Sequence, residues 1–227
     1  MIKLFTLDTD AFKDNDLFCR WYFELSSVRQ RNIDQCPARS DKNRSIGAGI
    51  LLDYGLNTVY GLRERDMQMQ IGEFGKPYFS NAPEIKYSLS HEGNKILLAL
   101  SDRNIGCDIT LDWQGSLDEM RIETQLHPTE IKALNALPTE ERQNELLSRF
   151  WALKESFGKA IGAGINLPLN SFWFDPDGDT PEIHQNYFQG GWYFKTFRLI
   201  PNYYAAVCSE EDCAELKLMF VNASEVL

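Results

Sequence analysis

Between Thr139 and Gly164 the chain repeats apolar residues at helical steps, and no other stretch limits the fold as tightly. Leu146, Phe150, Leu153, Phe157 and Ala160 recur three or four positions apart, the spacing that lines one face of an α-helix. Thr139, after Pro138, is a credible N-cap, and Glu140 and Glu141 fall in the first turn, where the helix dipole favours carboxylates. Gly162 and Gly164 end the helix. Its second half, FWALKESFGKAIGAG from Phe150 to Gly164, also carries Lys154, Glu155 and Lys159. Positions 151, 155 and 159 share a face, so Trp151, Glu155 and Lys159 line up away from the apolar stripe. A Glu-to-Lys pair at this spacing is also an ordinary surface device, worth only tenths of a kcal/mol. Gly158 and Gly162 argue for more. Each costs roughly 1 kcal/mol relative to Ala inside a helix, which points to a close approach on this face.

Shorter elements surround that helix. Ile2 to Leu7 alternates as a strand, with Ile2, Leu4 and Thr6 on one side and Lys3, Phe5 and Leu7 on the other. A helical stretch around LFCRWYFEL lies within Asp10 to Arg31. A second helix opens at Asp41 and runs to about Tyr54, with Ile46, Ile50 and Leu51 as its stripe and Gly55 as its stop. FGKPYF (74–79) reads as a turn. Ile85 to Leu89 and KILLALS (95–101) read as a hairpin, with SHEGN as a loop of several residues and His91 at its tip. IGCDITL, from Ile105, is another strand, and two short helical stretches precede the long helix. SFWF, GWYFKTFRL, YYAAVC and LKLMFV follow as strands, with DPDGD (175–179) as a turn. Helices and strands mix without βαβ alternation, which predicts an α+β fold of small antiparallel sheets. The break falls near Asp102 to Asn104, giving two lobes, 1–103 and 104–227.

Composition narrows the function. With 227 residues, 43% of them hydrophobic, the chain can bury one large core or two small ones. A net charge of -10 disfavours nonspecific nucleic-acid binding, which runs on phosphate neutralisation by Lys and Arg. The five cysteines, Cys19, Cys36, Cys107, Cys208 and Cys213, form no CxxC, so neither a disulfide framework nor a cysteine zinc site is expected. The opening MIKLFTLDTDAF is too short an apolar run for a signal peptide, and no stretch approaches a membrane span. The expectation is a soluble protein of the reducing cytoplasm.

Two further stretches look chemical. In IGCDITL, Ile105, Cys107, Ile109 and Leu111 point one way and Gly106, Asp108, Thr110 and Asp112 the other. Asp108, flanked by apolar neighbours, is a candidate ligand for a hard cation such as Mg²⁺, which takes one or two carboxylates and keeps oxygens of water and phosphate. An acidic strand face turned to solvent is the plainer alternative. Asp112 lies roughly 13 Å further along the strand and should not share an ion with Asp108. In YSLSHEG, Ser88 and Ser90 point together and His91 follows. No GxSxG surrounds them, so a hydrolase triad is weakly supported. A serine hydroxyl and an imidazole can instead bind phosphate, with Arg29, Arg31, Arg44 and Lys76 as candidate cations. Each of these also suits a solvated surface.

In combination, FGKPYF, YSLSHEG, IGCDIT and FWALKESFGKAIGAG resemble the 4′-phosphopantetheinyl transferase superfamily, in its two-lobed, surfactin-synthetase-activating type. The resemblance runs from about Arg44 to the C-terminal strands and is faint before Arg44. Its most specific part is Trp151, Lys154, Glu155, Ser156, Lys159, Gly162 and Gly164. It implies transfer of the phosphopantetheine arm of coenzyme A to a serine of an acyl, polyketide or peptidyl carrier protein, releasing adenosine 3′,5′-bisphosphate. It implies two similar lobes with coenzyme A in the cleft, and Mg²⁺ held by Asp108 and Glu155. Glu155 would also help deprotonate the serine, and Lys159 would stabilise phosphoryl charge. Ser90 and His91 would bind phosphates of coenzyme A, and Arg44 and Lys76 its nucleotide end. Arg29 and Arg31 fall where the family carries basic residues, in loose register. Many members have an acid where this chain has Thr110, so Thr110 would reach the ion only through water. A monomer with one complete site is expected.

Two rival readings use the same residues. One is a metal-dependent hydrolase of coenzyme A or a related nucleotide, working through Asp108, Glu155 and His91. The other is a non-catalytic carrier-binding module, whose mark would be loss of Asp108, Glu155 or Lys159. All three are present.

Overall fold

The computed structural model describes all residues except 115–121, 177–179, 187, 189, 200, 201, 225 and 227. Its strands form two principal sheets. The first has the order β11-β1-β5-β4, with β1 at Lys3–Asp8, β4 at Lys86–Glu92, β5 at Lys95–Ser101 and β11 at Leu218–Val221. The second has the order β6-β10-β9, with β6 at Ile105–Leu111, β9 at Tyr193–Leu199 and β10 at Tyr203–Ser209. Every pairing in them is antiparallel except β1 with β11. Two short hairpins, β2 (Met69–Ile71) with β3 (Pro77–Phe79) and β7 (Trp173–Phe174) with β8 (Ile183–His184), complete the set. This is the expected α+β arrangement.

Helices cover the outer faces. The N-terminal half contributes α1 (Asn15–Glu24), α2 (Ser27–Gln35) and α3 (Arg39–Tyr60), and the C-terminal half α4 (Ile122–Gln125), α5 (Pro128–Asn135) and α6 (Glu140–Ile161). Phe5, Leu7, Ile96, Leu98 and Leu100 share a core with Ile46, Ile50 and Leu51 of α3. On the other face of that sheet, Leu4, Leu97 and Ala99 meet Ile105, Cys107, Ile109, Ala205 and Val207 of the second sheet. The far face of the second sheet packs Phe194, Ala206 and Cys208 against Phe150, Leu153 and Phe157 of α6. Each sheet is therefore buried on both sides, which is why KILLALS is a nearly continuous apolar run rather than an alternating one.

Some local expectations change. Gly55 does not stop α3. It lies inside the helix, where a Cβ would come within 2.8 Å of Leu98 Cδ2 and 2.9 Å of Leu100 Cδ1, so its role is close helix–sheet approach. The stop is Gly61, in the left-handed region at φ 69°. The β4–β5 connection is a two-residue turn, because Glu92 pairs with Lys95. His91 is therefore a strand residue opposite Ile96, and not a loop tip; Gly93, at φ 53°, makes the turn. Finally, the chain's last strand leaves the second half and pairs Leu4 with Leu218 through Leu7 with Val221. A boundary at residue 103 falls between β5 and β6, yet β11 belongs to the first sheet. Of the DPDGD turn, residues 177–179 lie outside the described set.

Candidate active site

β4 and β6 run side by side where the two sheets meet, and serines of β4 fill the seam. Cys107 N donates to Ser88 Oγ at 3.0 Å, and Ser90 Oγ donates to Asp108 Oδ1 at 2.7 Å. The spacing of Ser88 and Ser90 on one strand face is the sequence signal for this; Gly106 carries none as clear. A Cβ at Gly106 would lie 2.0 Å from Ser156 O and 2.3 Å from Ala160 N. Only glycine lets α6 lie this close to β6. The close approach expected at Gly158 is thus found at Gly106. A Cβ at Gly158 would make ordinary contacts at 3.9 Å with Gly164 O and Leu167 Cδ2.

Close packing brings the face of α6 that carries Glu155 and Lys159 over Asp108. Lys159 Nζ donates to Asp108 Oδ1 at 2.5 Å and to Ser90 Oγ at 2.9 Å. Asp108 is buried, and burial pushes its carboxyl up against the opposing pull of Lys159 and Ser90. Burial alone would lower Lys159, but the Asp108 carboxylate outweighs it and holds the ammonium above its ordinary range. Glu155 is half-buried. Burial, then the Asp108 carboxylate, raise its pKa, and Lys159 opposes them. The carboxylates of Asp108 and Glu155 therefore feel each other, on the same side of the molecule.

The other predicted residues divide. His91 is exposed on β4; partial desolvation, then Arg44 and Lys159, lower its pKa. Arg44 pairs with Asp41 and donates Nη1 to Gly93 O at 3.3 Å, which sets its guanidinium at the β4–β5 turn. Lys76 lies at the other end of β6, donating to Ile105 O at 2.9 Å and to Ala160 O at 3.3 Å. Burial pulls it down to about 8. It lines a cavity of about 250 Å³ with Tyr87 and Gly162, and the buried Tyr87 hydroxyl has no hydrogen-bond partner among the described residues. Ile105 to Leu111 is six steps, about 20 Å of strand. Lys76, Lys159 and Arg44 thus mark a cationic track along the seam. Arg29 instead turns to the buried Glu64, with Nε 3.7 Å from Oε1. Arg31 is exposed on α2, and no described contact joins it to Ser90, Asp108 or Lys159. Asp112 is taken by the guanidinium of Arg198, with Nη2 2.5 Å from Oδ2. Thr110 Oγ1 lies 3.3 Å from Leu111 O on its own strand.

Comparison with known proteins decides the family. The model of the 4′-phosphopantetheinyl transferase superfamily matches residues 104–208. The Bacillus subtilis 4′-phosphopantetheinyl transferase ffp is 30% identical over 194 residues, spanning 82% of this chain and 83% of its own length. This chain belongs to the 4′-phosphopantetheinyl transferase superfamily. The transferase Sfp of Bacillus subtilis strain 168 is 28% identical over 212 residues, covering 89% of this chain and 91% of its own. The transferase gsp of Aneurinibacillus migulanus is 27% identical over 188 residues, covering 82% and 76% respectively. The family match begins at Asn104, one residue before β6, and ends within β10. It therefore contains Asp108, Glu155 and Lys159, whereas Ser90 and His91 come to this transferase's seam from outside it.

Proposed function

We propose that the protein transfers the 4′-phosphopantetheine arm of coenzyme A to a serine of an apo acyl, polyketide or peptidyl carrier protein. The observation that carries the reading is the meeting of Asp108, Ser90, Glu155 and Lys159 where α6 lies against β6. Phosphoryl transfer needs positioned charge more than covalent help.

Glu155, raised by burial and by Asp108, takes the proton of the attacking serine hydroxyl. The serine oxygen bonds to phosphorus, the bond to the bridging pyrophosphate oxygen breaks, and adenosine 3′,5′-bisphosphate leaves. Lys159, held protonated by Asp108, meets the charge that develops on the phosphoryl oxygens. Ser90, His91 and Arg44 bind phosphates toward the β4–β5 turn. Lys76 and the Tyr87 hydroxyl receive the nucleotide end in their cavity. Arg29 and Arg31 would add cationic charge to that end, Arg29 only by releasing Glu64.

The seam fits Mg²⁺. The Asp108 carboxylate acts electrostatically on Glu155, and no described residue donates a hydrogen bond to Glu155. Asp108 and Glu155 would hold the ion, which supplies charge neutralisation on the pyrophosphate. Thr110, where many relatives would place a third acid, contributes through water at most. In this reading coenzyme A crosses the boundary between lobes 1–103 and 104–227, and a single chain supplies the whole site. Such a protein works in the reducing cytoplasm, which suits five free cysteines. No helix among the described residues is long and apolar enough to cross a membrane.

The test is incubation with coenzyme A, Mg²⁺ and a panel of apo-carriers, read by intact-protein mass spectrometry. The carrier serine gains the mass of the phosphopantetheine arm with wild type and not with Glu155→Gln. Free phosphopantetheine beside unmodified carriers would make the protein a hydrolase instead.

A further inference from the structure

The β7–β8 hairpin gathers a second set of ligand-bearing side chains, apart from the seam. Its ladder pairs Trp173 with His184 and Phe174 with Ile183. One step on, Asp175 N donates to Glu182 O at 3.3 Å, so Asp175 and Glu182 are the next facing pair. Strand alternation puts both on the face of Trp173 and His184, opposite Phe174, which is in the core. Like charges directly opposite across a hairpin destabilise it. His184 Nε2 lies 3.0 Å from Asp175 Oδ2, and one donor atom from each of Asp175, Glu182 and His184 falls within 4.8 Å of the others.

The imidazole is held in place. His184 lies flat on Trp173, with ring centroids 3.6 Å apart and planes 7° apart. His127 stacks on the same indole at 6.2 Å, so two of the chain's three histidines gather here. A cavity of about 360 Å³ opens beside them, lined by His127, Ser171, His184, Gln185 and Asn186 among others. It gives an ion and its water a polar approach.

We propose that Asp175, Glu182 and His184 form a divalent transition-metal site of the zinc class, which clips the two strands of the β7–β8 hairpin together. One imidazole and two carboxylates are three ligands of a tetrahedral set, and water from the cavity supplies the fourth. The nitrogen donor selects against Mg²⁺, which takes oxygens, so the metal itself separates this site from the seam. The bound cation removes the repulsion between the facing acids and fixes the last described cross-strand pair. The hairpin clip is independent of the transfer reaction.

The test uses the full chain, stripped of metal, with Cys19→Ser throughout because Cys19 is an exposed thiol. Dialysis against micromolar Zn²⁺ and metal analysis should find one equivalent per chain. His184→Ala and Glu182→Gln should each lose it. Glu182→Gln leaves the Trp173–His184 stack untouched, so it separates loss of a ligand from loss of the fold. Zn²⁺ should raise the melting temperature of the parent and of neither variant. Both variants should keep the parent's Mg²⁺-dependent transfer. The proposal is overturned if the parent retains no zinc, if both variants retain it, or if Mg²⁺ displaces it at equal concentration.

Discussion

Lys154 and Glu155 are neighbours on α6, and the structure sends them to opposite fates. Lys154 is fully buried. Its Nζ donates to Leu169 O at 2.7 Å and Phe172 O at 2.6 Å, and pairs with Glu130 Oε2 at 2.9 Å. Glu130 in turn accepts from His127 N at 2.9 Å and Phe174 N at 3.0 Å. All three ammonium protons and both carboxylate oxygens are engaged, so the pair ties α5, α6 and β7 together and is closed to solvent. Glu155 is half-buried, its pKa raised by burial and then by a neighbouring carboxylate, and it accepts no hydrogen bond from a described residue. A closed charge pair holds a fold. An open one, in mutual repulsion, is available for chemistry.

The largest effect should come from breaking the closed pair. Lys154→Met leaves Glu130 as a buried, unpaired charge and should cost about 3–5 kcal/mol in urea unfolding. Adding Glu130→Gln should recover much of that loss. A neutral single variant would end the structural account of Lys154.

Glu155→Gln tests the open side. Transfer should fall by about 10²-fold or more, while stability should move the other way. A carboxyl whose folded pKa is raised binds its proton more tightly folded than unfolded. It therefore costs stability above that folded pKa, and the cost fades as pH falls toward the unfolded value. Glu155→Gln should melt above wild type at pH 8, and the gap should close toward pH 5. A lower melting temperature at pH 8 would place Glu155 with Lys154 as a structural residue.

Thr110→Glu adds a third acid beside the open pair. Transfer should persist, and less Mg²⁺ should be needed for half-maximal rate. Abolished activity at saturating Mg²⁺ would show that the β6 register is misread. The smallest effect should come from Lys76, whose charge fades as pH rises through about 8. The coenzyme A concentration giving half-maximal rate should rise across that range in wild type, and Lys76→Met should flatten the rise. An unchanged pH profile in that variant would remove Lys76 from the donor site.

Much of this contrast is legible in the chain. Lys154 sits four residues after Phe150 and three before Phe157, so the helical period alone places it among core residues. Glu155 and Lys159 fall on the other face by the same count. The partner of Lys154 was not legible, because Glu130 lies 24 positions away on a separate helix and sits in no pattern. The ion pair of Arg29 was hidden for a related reason. Its charge suits a phosphate, but the buried carboxylate of Glu64, in the short 3₁₀ turn Glu64–Asp66, pairs with it instead.

The chain by itself determined α6 from Thr139 to Gly162, the alternation that turns Asp108 toward α6, and the α+β class. These depend on period, caps and turn residues, which act over a few positions. Tertiary structure alone decided that β11 returns to β1, that Gly106 admits α6, and which charges close on one another. Those outcomes depend on distance and burial between residues far apart in sequence, and electrostatic energy varies steeply with both.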